Sequence, residues 1–459
     1  MDGRRRGLLF FAAWMAASVA VLVPPAVAQS PGSTGAVCAE QPGARAEPPA
    51  TAPDRPDWLL REQRIPELVQ WVAEQRTLLT VTPADLAVFR GVLANRQNQN
   101  AASIALLVPL LPRLDPVADS ARFRLVLSTL ADDYTKTYRY GDAADALMQL
   151  QRQAPASMSA EDLRDLGNGV AVRDLLRHAP RQRVLNSRPF TVPLRRDTIG
   201  LREVSVRAGS DFAWWIFDTG ANFSTVSESM ARRLGLHVSS GTATVKGTTG
   251  AASRLKVAVV PELRVGAARL SNVVVLVLAD SALDIPAVHF QISAILGYPV
   301  LEALDRLAIT PNRVQVTPDP KGVPGDSSNM FLDELNPLVA VTVDGASRLY
   351  HFDSGADATV LGVHFCRAYP QLLAGLSRQP VGIGGAGGTS AYSAYLLDHL
   401  PVRVGGTSTI LDSVSVISDS TTMAFEPSFG NLGQDLASSR GGYTIDFRAM
   451  TFRLGTGDR

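Results

Sequence analysis

The pattern of apolar and polar positions changes once along the chain, near Leu185. Between Trp58 and this point, apolar residues recur at helical spacing, as in Phe123, Leu127 and Leu130, which fall on one helix face. After it, short apolar-rich runs such as LREVSVRA and LSNVVVLVLAD are separated by Gly, Pro, Asn and Asp, which is typical of strands and turns. The chain is therefore predicted to be mainly β, with an N-terminal α-helical module.

Capping signals support helices at two points in the helical module. Thr82 precedes a first-turn proline and the acid Asp85, and Ser159 is followed three residues later by Asp162. We predict a bundle or stack of about five or six helices. Residues 138–155 loosely resemble one helix of a tetratricopeptide hairpin, although the repeat period of that family is absent. A helical cap or spacer without a peptide groove is an equal alternative.

The β-rich part contains two copies of one pattern. Asp353 follows Asp218 by 135 residues, and Gly433 follows Gly297 by 136 residues. Internal repetition at an offset that stays within one residue indicates two copies of one fold. The Pro-, Gly- and Ser-rich segment over residues 317–329 between the copies is typical of a linker.

Each copy places an aspartate directly after a strand that is built for burial. Residues 217–222 read FDTGAN, and residues 352–357 read FDSGAD. A D-[ST]-G triplet alone is also typical of a turn in which the aspartate bonds the following backbone. Here the shared pattern is longer, and a hydroxyl residue, Ser224 or Thr359, stands at the sixth position after each acid. The repetition favours a functional pair over two unrelated turns.

Two carboxylates that are brought together, Asp218 and Asp353, cannot both ionise cheaply, and so they share one proton. The ionised member can take a proton from a water molecule while the protonated member hydrogen-bonds a substrate carbonyl. The hydroxyl residue behind each acid can bond the opposite loop, and the glycine lets backbone pass close beneath. The supporting loop residues are Thr219, Gly220, Ser354 and Gly355.

The two D-[ST]-G-A-[ND] segments resemble the active-site loops of aspartic peptidases, and they are most similar to the retroviral-type branch. The resemblance covers about residues 187–456 and implies two lobes related by a pseudo-twofold axis in one chain, as in pepsin-like enzymes. It implies that Asp218 and Asp353 are the catalytic pair. Residues 295–297 resemble the hydrophobic-hydrophobic-glycine element of the family, whereas residues 431–433 match only partly because an asparagine replaces the first apolar residue.

The same resemblance implies a flap between each acid and its glycine element. Residues 244–257 and 381–395 lie at the expected positions and are rich in Gly, Ser and Thr. An ordinary glycine-rich surface turn is the alternative for each. The flap tyrosine of pepsin-like enzymes is absent from the first segment, whereas the second contains Tyr392 and Tyr395. The flap candidates are Gly247, Thr248, Thr249, Gly250, Gly384 and Gly385.

The N-terminus has the features of a secretory signal peptide. Three arginines precede an apolar stretch from Leu8 to Val23, and Ala26 and Ala28 offer a small-residue cleavage position before Gln29. An uncleaved membrane anchor is the alternative, although the segment is short for a span. Cleavage would leave 44 − 3 = 41 basic and 43 − 1 = 42 acidic residues. This balance offers no basic surplus for nucleic acid or an anionic membrane.

Cysteine and histidine usage indicates neither a thiol enzyme nor a metal site. The two cysteines, Cys38 and Cys366, can form a disulfide in an exported protein, but the sequence does not decide whether they pair. The six histidines show no metal-binding spacing, and His351 is interpreted as a packing residue. We predict no metal and no cofactor.

The predicted organisation, in chain order, is a signal peptide over residues 1–28, a flexible tether over 29–57, an α-helical module over 58–185, a first peptidase lobe over 186–318, a linker over 319–329 and a second lobe over 330–459. The resemblance and the chemistry together predict an exported bacterial aspartic endopeptidase, periplasmic or secreted, that acts as a monomer on peptide or protein substrates. A peptide-binding protein that does not cleave is the first alternative. A helical module that recruits a protein partner is the second. The cleavage preference and any activation step stay open.

Overall fold

A computed structural model describes residues 20–23, 52, 54–78, 81–153, 158–186, 188–246, 252–319, 321–386, 388–418 and 428–457. The described residues divide into two compact units: one comprises those from Ala52 to Arg181 together with Ser240–Thr244, and the other comprises residues 20–23, Gln182–Ser239 and the chain from Val245 onward. The first is helical and the second is mainly β. None of the helices in these ranges has the length and hydropathy needed to cross a bilayer.

Helices of the first unit are α1 (Arg55–Arg61), α2 (Ile65–Leu78), α3 (Pro83–Arg96), α4 (Asn100–Leu107), α5 (Ser120–Lys136), α6 (Tyr140–Arg152) and α7 (Ala160–Leu175). The prediction of five or six helices was too low, because α1 and α4 have 7 and 8 residues, too few to show a clear period. The start at Arg55 also corrects the predicted tether, which extended to residue 57. Pro56 and Asp57 in the first turn favour a helix start, and Trp58 is buried.

Both predicted caps of the helical unit are confirmed. Thr82 Oγ1 accepts a hydrogen bond of 3.1 Å from the Asp85 amide, and Ser159 and Asp162 form a reciprocal capping box. The predicted apolar face of α5 is buried as well, since Phe123 packs in one cluster with residues of α6 and α7. Local sequence signals therefore set the ends and the buried face of these helices.

Strands of the chain are β1 (Ala20–Val23), β2 (Arg183–Asn186), β3 (Phe190–Arg196), β4 (Arg202–Ala208), β5 (Asp211–Phe217), β6 (Ser224–Ser227), β7 (Ala243–Lys246), β8 (Ala252–Val265), β9 (Ala268–Leu278), β10 (Asp284–Ile285), β11 (Phe290–Gln291), β12 (Ala294–Leu296), β13 (Arg306–Thr310), β14 (Arg313–Thr317), β15 (Met330–Asp333), β16 (Asn336–Val343), β17 (Ala346–Phe352), β18 (Val360–Leu361), β19 (Arg378–Gly385), β20 (Gly388–Leu397), β21 (Leu400–Val404), β22 (Thr407–Leu411), β23 (Val414–Ile417), β24 (Gly430–Leu432), β25 (Tyr443–Asp446) and β26 (Thr451–Leu454). Three short helices accompany them: α8 (Glu228–Arg233), α9 (Tyr298–Glu302) and α10 (Val363–Ala368).

Two large sheets contain almost all of these strands. One has the order β26-β25-β13-β14-β3-β4-β5-β12-β6-β9-β8-β7, and the other has the order β1-β19-β20-β23-β18-β24-β17-β16-β21-β22. We call residues 190–317 the first half and residues 330–454 the second half. Strands β25 and β26 of the second half extend the sheet of the first half through antiparallel pairing of β25 with β13. The two halves are therefore joined by backbone hydrogen bonds.

The strands that precede the two acids have the same neighbours in both halves. Strand β5 pairs antiparallel with β4 and parallel with β12, and β17 pairs antiparallel with β16 and parallel with β24. A strand with neighbours on both sides has its backbone groups satisfied, so its apolar side chains can be buried. Each acid thus follows a central strand and emerges at its carboxyl end.

Strand β1 lies in the sheet of the second half. It pairs antiparallel with β19, with Ala20 opposite Gly385 and Val23 opposite Gly382. These residues belong to the predicted signal peptide over 1–28, and the rest of that segment lies outside the described residues. Cys366 lies in a disulfide. Cys38 is the other cysteine of the chain and lies outside the described residues.

Candidate active site

The strand ends place both aspartates in the interior of the β unit. Asp218 follows β5, and its amide donates a 3.1 Å hydrogen bond to the Leu296 carbonyl of β12. Asp353 follows β17, and its amide donates a 3.0 Å bond to the Leu432 carbonyl of β24. Both side chains have 0% exposure. The sheet therefore fixes where each acid leaves its strand, and burial makes a negative charge on either one costly.

Four hydrogen bonds cross between the two loops. The Thr219 amide donates to Ser354 Oγ, and the Ser354 amide donates to Thr219 Oγ1, both at 3.0 Å. Each hydroxyl then donates to the carbonyl that precedes the opposite acid, Thr219 to Phe352 at 3.1 Å and Ser354 to Phe217 at 2.9 Å. Every hydroxyl is thus both acceptor and donor across the junction. We call this reciprocal set the loop grip. It joins the two acid-bearing loops to each other beside the two aspartates.

Backbone amides and a close glycine contact orient the carboxylates. The amides of Gly220 and Ala221 donate to Asp218 Oδ1 at 2.8 and 3.0 Å. The amide of Gly355 donates to Asp353 Oδ1 at 2.8 Å. A Cβ added at Gly355 would stand 2.5 Å from the carboxyl carbon of Asp218. Glycine is required there because the carboxylate of one loop packs directly on the backbone of the other.

The two carboxyl groups influence each other's ionisation. Burial raises the pKa of Asp353 well above its ordinary value, and the charge of Asp218 and a side-chain hydrogen bond with it raise this pKa further. The Asn431 side chain and the Gly355 amide act in the opposite direction. A buried pair of this kind holds one proton between two carboxyls. It can act as a general base and a general acid at once.

A second pair of equivalent contacts supports the loops from behind. The Gly297 amide donates to Ser224 Oγ, and the Gly433 amide donates to Thr359 Oγ1, both at 3.1 Å. These are the hydroxyl residues at the sixth position after each acid, for which the sequence alone suggests no task. A Cβ on either glycine would lie within about 2.6 Å of loop backbone. The glycine elements therefore pack directly beneath the acid-bearing loops.

Asn431 contacts the second acid, which sequence reasoning missed. Its Nδ2 donates a 3.0 Å hydrogen bond to Asp353 Oδ2. His351, interpreted from the sequence as a packing residue, is the direct register partner of Asn431 on β17. The only signal in the sequence was the departure of Asn431 from the apolar residue that the family resemblance implies.

Gln434 and Asp435, which follow the second glycine element, were missed as well. Gln434 Nε2 donates to the Ser354 carbonyl at 3.1 Å, and Asp435 Oδ1 accepts a 2.7 Å bond from Thr359 Oγ1. Each contact joins residues about 80 positions apart in sequence. No local pattern marks such pairs.

The flap candidates fall into two groups. Gly384 and Gly385 lie at the end of β19, in a hairpin with β20, where they pair with Thr389 and Gly388. Ala356 of the second acid-bearing loop belongs to a buried cluster against which Tyr392 of this hairpin packs. The candidates of the first half, Gly247 to Gly250, lie outside the described residues. Across the described ranges, no group of three or more His, Cys, Asp or Glu could hold a metal ion.

Comparison with known families gives one finding on the first half. Residues 203–300 match the model of a family described as aspartyl protease. The matched region contains Asp218, the loop grip residue Thr219 and the glycine element at residues 295–297. No curated protein matches the chain. The family match supports a hydrolase of the protease class.

Proposed function

We propose that the protein is a single-chain aspartic endopeptidase in which Asp218 and Asp353 together activate a water molecule. The observation that carries this proposal is the loop grip, because it brings two buried carboxyl groups from distant parts of the chain into mutual contact. The aspartyl protease match over residues 203–300 supports the same class of reaction.

In the proposed reaction, the ionised carboxylate accepts a proton from water as the water oxygen attacks the scissile carbonyl carbon. The protonated carboxyl donates its proton to the carbonyl oxygen, which gives a neutral tetrahedral diol. Collapse of the diol breaks the C–N bond, and a proton passes to the leaving amine. The two products are a carboxylic acid and an amine, and the dyad again holds one proton. The enzyme forms no covalent intermediate.

The pairing between the halves supports a pseudo-twofold relation between two lobes. Leu307 pairs with Ile445, and Ile309 pairs with Tyr443. The two glycine elements are 136 residues apart. The same offset leads from Leu307 to Tyr443 and from Ile309 to Ile445, so that it exchanges the members of these two pairs. A local twofold axis between β13 and β25 has this effect. Two lobes so related each supply one acid to the dyad.

The β19–β20 hairpin is the proposed flap of the second lobe, and it binds substrate as an extended strand. The antiparallel pairing of β1 with Gly382 to Gly385 supports this, because it places an extended segment on the same edge. The apolar stretch and small-residue cleavage position support export and removal of residues 1–28, after which a peptide or protein substrate occupies this edge.

The test is cleavage of a peptide library by the purified protein, with Asp218→Asn, Asp353→Asn, the double variant and a statine-type inhibitor. Each single substitution is expected to lower kcat by about 10²–10⁴-fold, and the double variant is expected to be little worse because the pair acts as a unit. Asp326→Asn, in the exposed linker, is the matched control and is expected to keep wild-type activity. Peptide binding without cleavage by the wild type would instead favour a peptide-binding protein.

A further inference from the structure

We propose that an exposed row of arginines on the sheet of the first half is a docking site for an acidic segment of the protein substrate. The row consists of Arg207, Arg264 and Arg269, and we call it the basic row. This inference rests on the proposed peptidase function and deepens it. It names the substrate class as proteins that carry a run of Asp or Glu at a distance from the scissile bond.

Strand register places the three arginines side by side. Arg207 of β4 pairs with Arg264 of β8, and Arg264 pairs with Arg269 of β9. Register partners project from the same face of a sheet, and neighbouring strands lie about 4.8 Å apart, so the row spans about 10 Å. All three residues are exposed. Three guanidinium groups of like charge therefore lie on one strip of surface.

The basic row has more positive charge than its carboxylate neighbours neutralise. Arg264 and Arg269 share one acid, Glu262, at N–O distances of 2.7 and 2.5 Å. Arg207 forms no ion pair with the residues that the structure describes. Like charges at directly opposed positions on neighbouring strands are destabilising. An acidic partner offsets this repulsion and supplies the carboxylates that the row lacks.

The second half shows that the strand arrangement does not require arginine at these positions. Strand β16 corresponds to β4, because each pairs antiparallel with the strand that precedes an acid. The row of the second half that pairs in the same way consists of Thr342, Arg403 and Ser408. It contains one arginine between two hydroxyl residues, which do not repel it. The accumulation of charge is thus a property of the side chains of the first half.

The surroundings of the basic row favour a peptide over a nucleic acid. Phe212 of β5 is the register partner of Arg207 and is 50% exposed, so it offers an apolar contact beside the charges. Trp214 follows on the same strand, but the guanidinium of Arg195 lies over its ring at 4.2 Å. Single-stranded nucleic acid is bound through free aromatic faces on which successive bases stack. One exposed phenyl ring beside three guanidinium groups instead fits a peptide that combines acidic and apolar side chains.

Strand β5 connects the basic row with the dyad. Phe212 lies near the start of this strand, and Asp218 follows its end, six residues later. An extended strand rises about 3.3 Å per residue, so the two positions are about 20 Å apart. A substrate that occupies both places its acidic segment at least about six residues from the scissile bond. The docking site therefore acts through substrate binding and takes no part in the chemical step.

The experiment uses the full-length mature protein and two peptides with the same cleavable sequence. One peptide carries four glutamates beyond a Gly/Ser spacer of about eight residues, and the other carries four glutamines there. Each extension is tested on both sides of the cleavable sequence. At low ionic strength, the wild type is expected to have a KM about 10-fold lower for the glutamate peptide on one of the two sides, because about three exposed ion pairs form.

This KM ratio is expected to fall to about 1 in Arg207→Gln/Arg264→Gln, and also in the wild type at about 0.5 M salt. Arg403→Gln is the matched control from the second half and is expected to keep the wild-type ratio. Thermal unfolding reports whether each variant is folded, and Arg269→Gln carries the test if the double variant is not. An equal KM for the two peptides in an active wild type, or an equal loss in Arg403→Gln, would overturn the docking site and leave the peptidase proposal intact.

Fluorescence anisotropy of a labelled glutamate peptide without the cleavable sequence gives a readout that does not depend on cleavage. Binding that is weakened in Arg207→Gln/Arg264→Gln and kept in Arg403→Gln supports the docking site, even if no peptide is cleaved and the peptidase proposal fails. Tighter binding of an oligothymidylate or of phosphatidylglycerol vesicles, abolished by the same two substitutions, would overturn the assignment of an acidic protein segment as the partner.

Discussion

The residue pair beside Asp218 differs in chemistry from the pair beside Asp353. Ile216 and Ile295 lie opposite each other in the first half, whereas His351 and Asn431 lie opposite each other in the second. All four side chains are buried. The strands on which they lie have the same pairing, so the difference arises from side chains alone.

The backbone-directed contacts of the two halves, by contrast, are nearly identical. The two amide bonds of the loop grip are equal at 3.0 Å, and the two bonds from the glycine elements are equal at 3.1 Å. The comparison teaches that the contacts which place the acids are duplicated, whereas the contacts which set their charge are not. The following predictions test each side of this distinction.

The glycine elements are expected to respond alike and most strongly. In Gly297→Ala and Gly433→Ala the new methyl group meets backbone atoms at 2.5 and 2.6 Å, which no side-chain rotation can relieve. Each variant is expected to lose about 3 kcal/mol of unfolding free energy. Chemical denaturation measures the loss. If only one of the two substitutions lowered the unfolding free energy, the two glycine elements would not be equivalent in their contribution to stability.

His351 is expected to make the second half acid-sensitive. An unfolded histidine takes up a proton near pH 6.5, whereas burial lowers the pKa of folded His351 to about 4. Between these two pH values the unfolded state binds more protons than the folded state, so the free energy of unfolding rises with pH. The destabilisation caused by His351 is largest below about pH 4 and is absent above about pH 6.5.

His351→Gln removes this titration and places a neutral polar side chain opposite Asn431. Relative to wild type, the variant is expected to gain on the order of 3 kcal/mol between pH 6.5 and pH 4, from about 1.4 kcal/mol per pH unit. Urea denaturation at a series of pH values measures the difference. Parallel stability curves for the two proteins would contradict a buried neutral histidine. Ile216→Leu, at the equivalent position in the first half, is the control and has no titratable group.

The loop grip is expected to be symmetric in its energetic effect. Thr219→Ala and Ser354→Ala each remove a buried hydroxyl that accepts one bond and donates another, and each is expected to cost about 1–3 kcal/mol. Thr219→Ser retains the hydroxyl and serves as the control. Thermal unfolding monitored by near-UV circular dichroism gives the comparison. A loss confined to one alanine variant would argue against reciprocal bonding.

The smallest effect concerns the helices that follow the acid-bearing loops. Helix α8 begins after Ser227, whose Oγ accepts a 3.1 Å bond from the Met230 amide, whereas α10 begins after Gly362 without a side-chain cap. Ser227→Ala is expected to cost about 1 kcal/mol, and Gly362→Ser to gain a few tenths. Equilibrium unfolding of both variants checks the opposite signs. An increase in stability from Ser227→Ala would show that the cap contributes nothing.

Local sequence signals were sufficient for much of the fold and the candidate site. Two kinds of signal carried this information. The caps at Thr82 and Ser159 and the strand before each acid depend on residues within a few positions, and the two copies are recognised by simple repetition at an offset of 135 or 136 residues. Short helices such as α1 were missed because seven residues do not complete two turns.

The role of Asn431 was beyond the sequence for a different reason. Its contact with Asp353 depends on the parallel register of β24 with β17, and β24 has only three residues. A strand of this length has too few positions for alternation to show which residue faces which acid. The same limit applies to Gln434, whose partner Ser354 lies 80 residues away.

The presence of both acids in one polypeptide also bears on how such a site can change over generations. In an assembly of two identical subunits, any substitution beside one acid is repeated beside the other, and an amide donor would face both carboxylates. Here the counterpart of Asn431 is not polar, because position 295 is encoded separately and holds isoleucine. A single codon change can therefore alter one acid and leave the other untouched, which a gene that encodes a symmetric dimer cannot do.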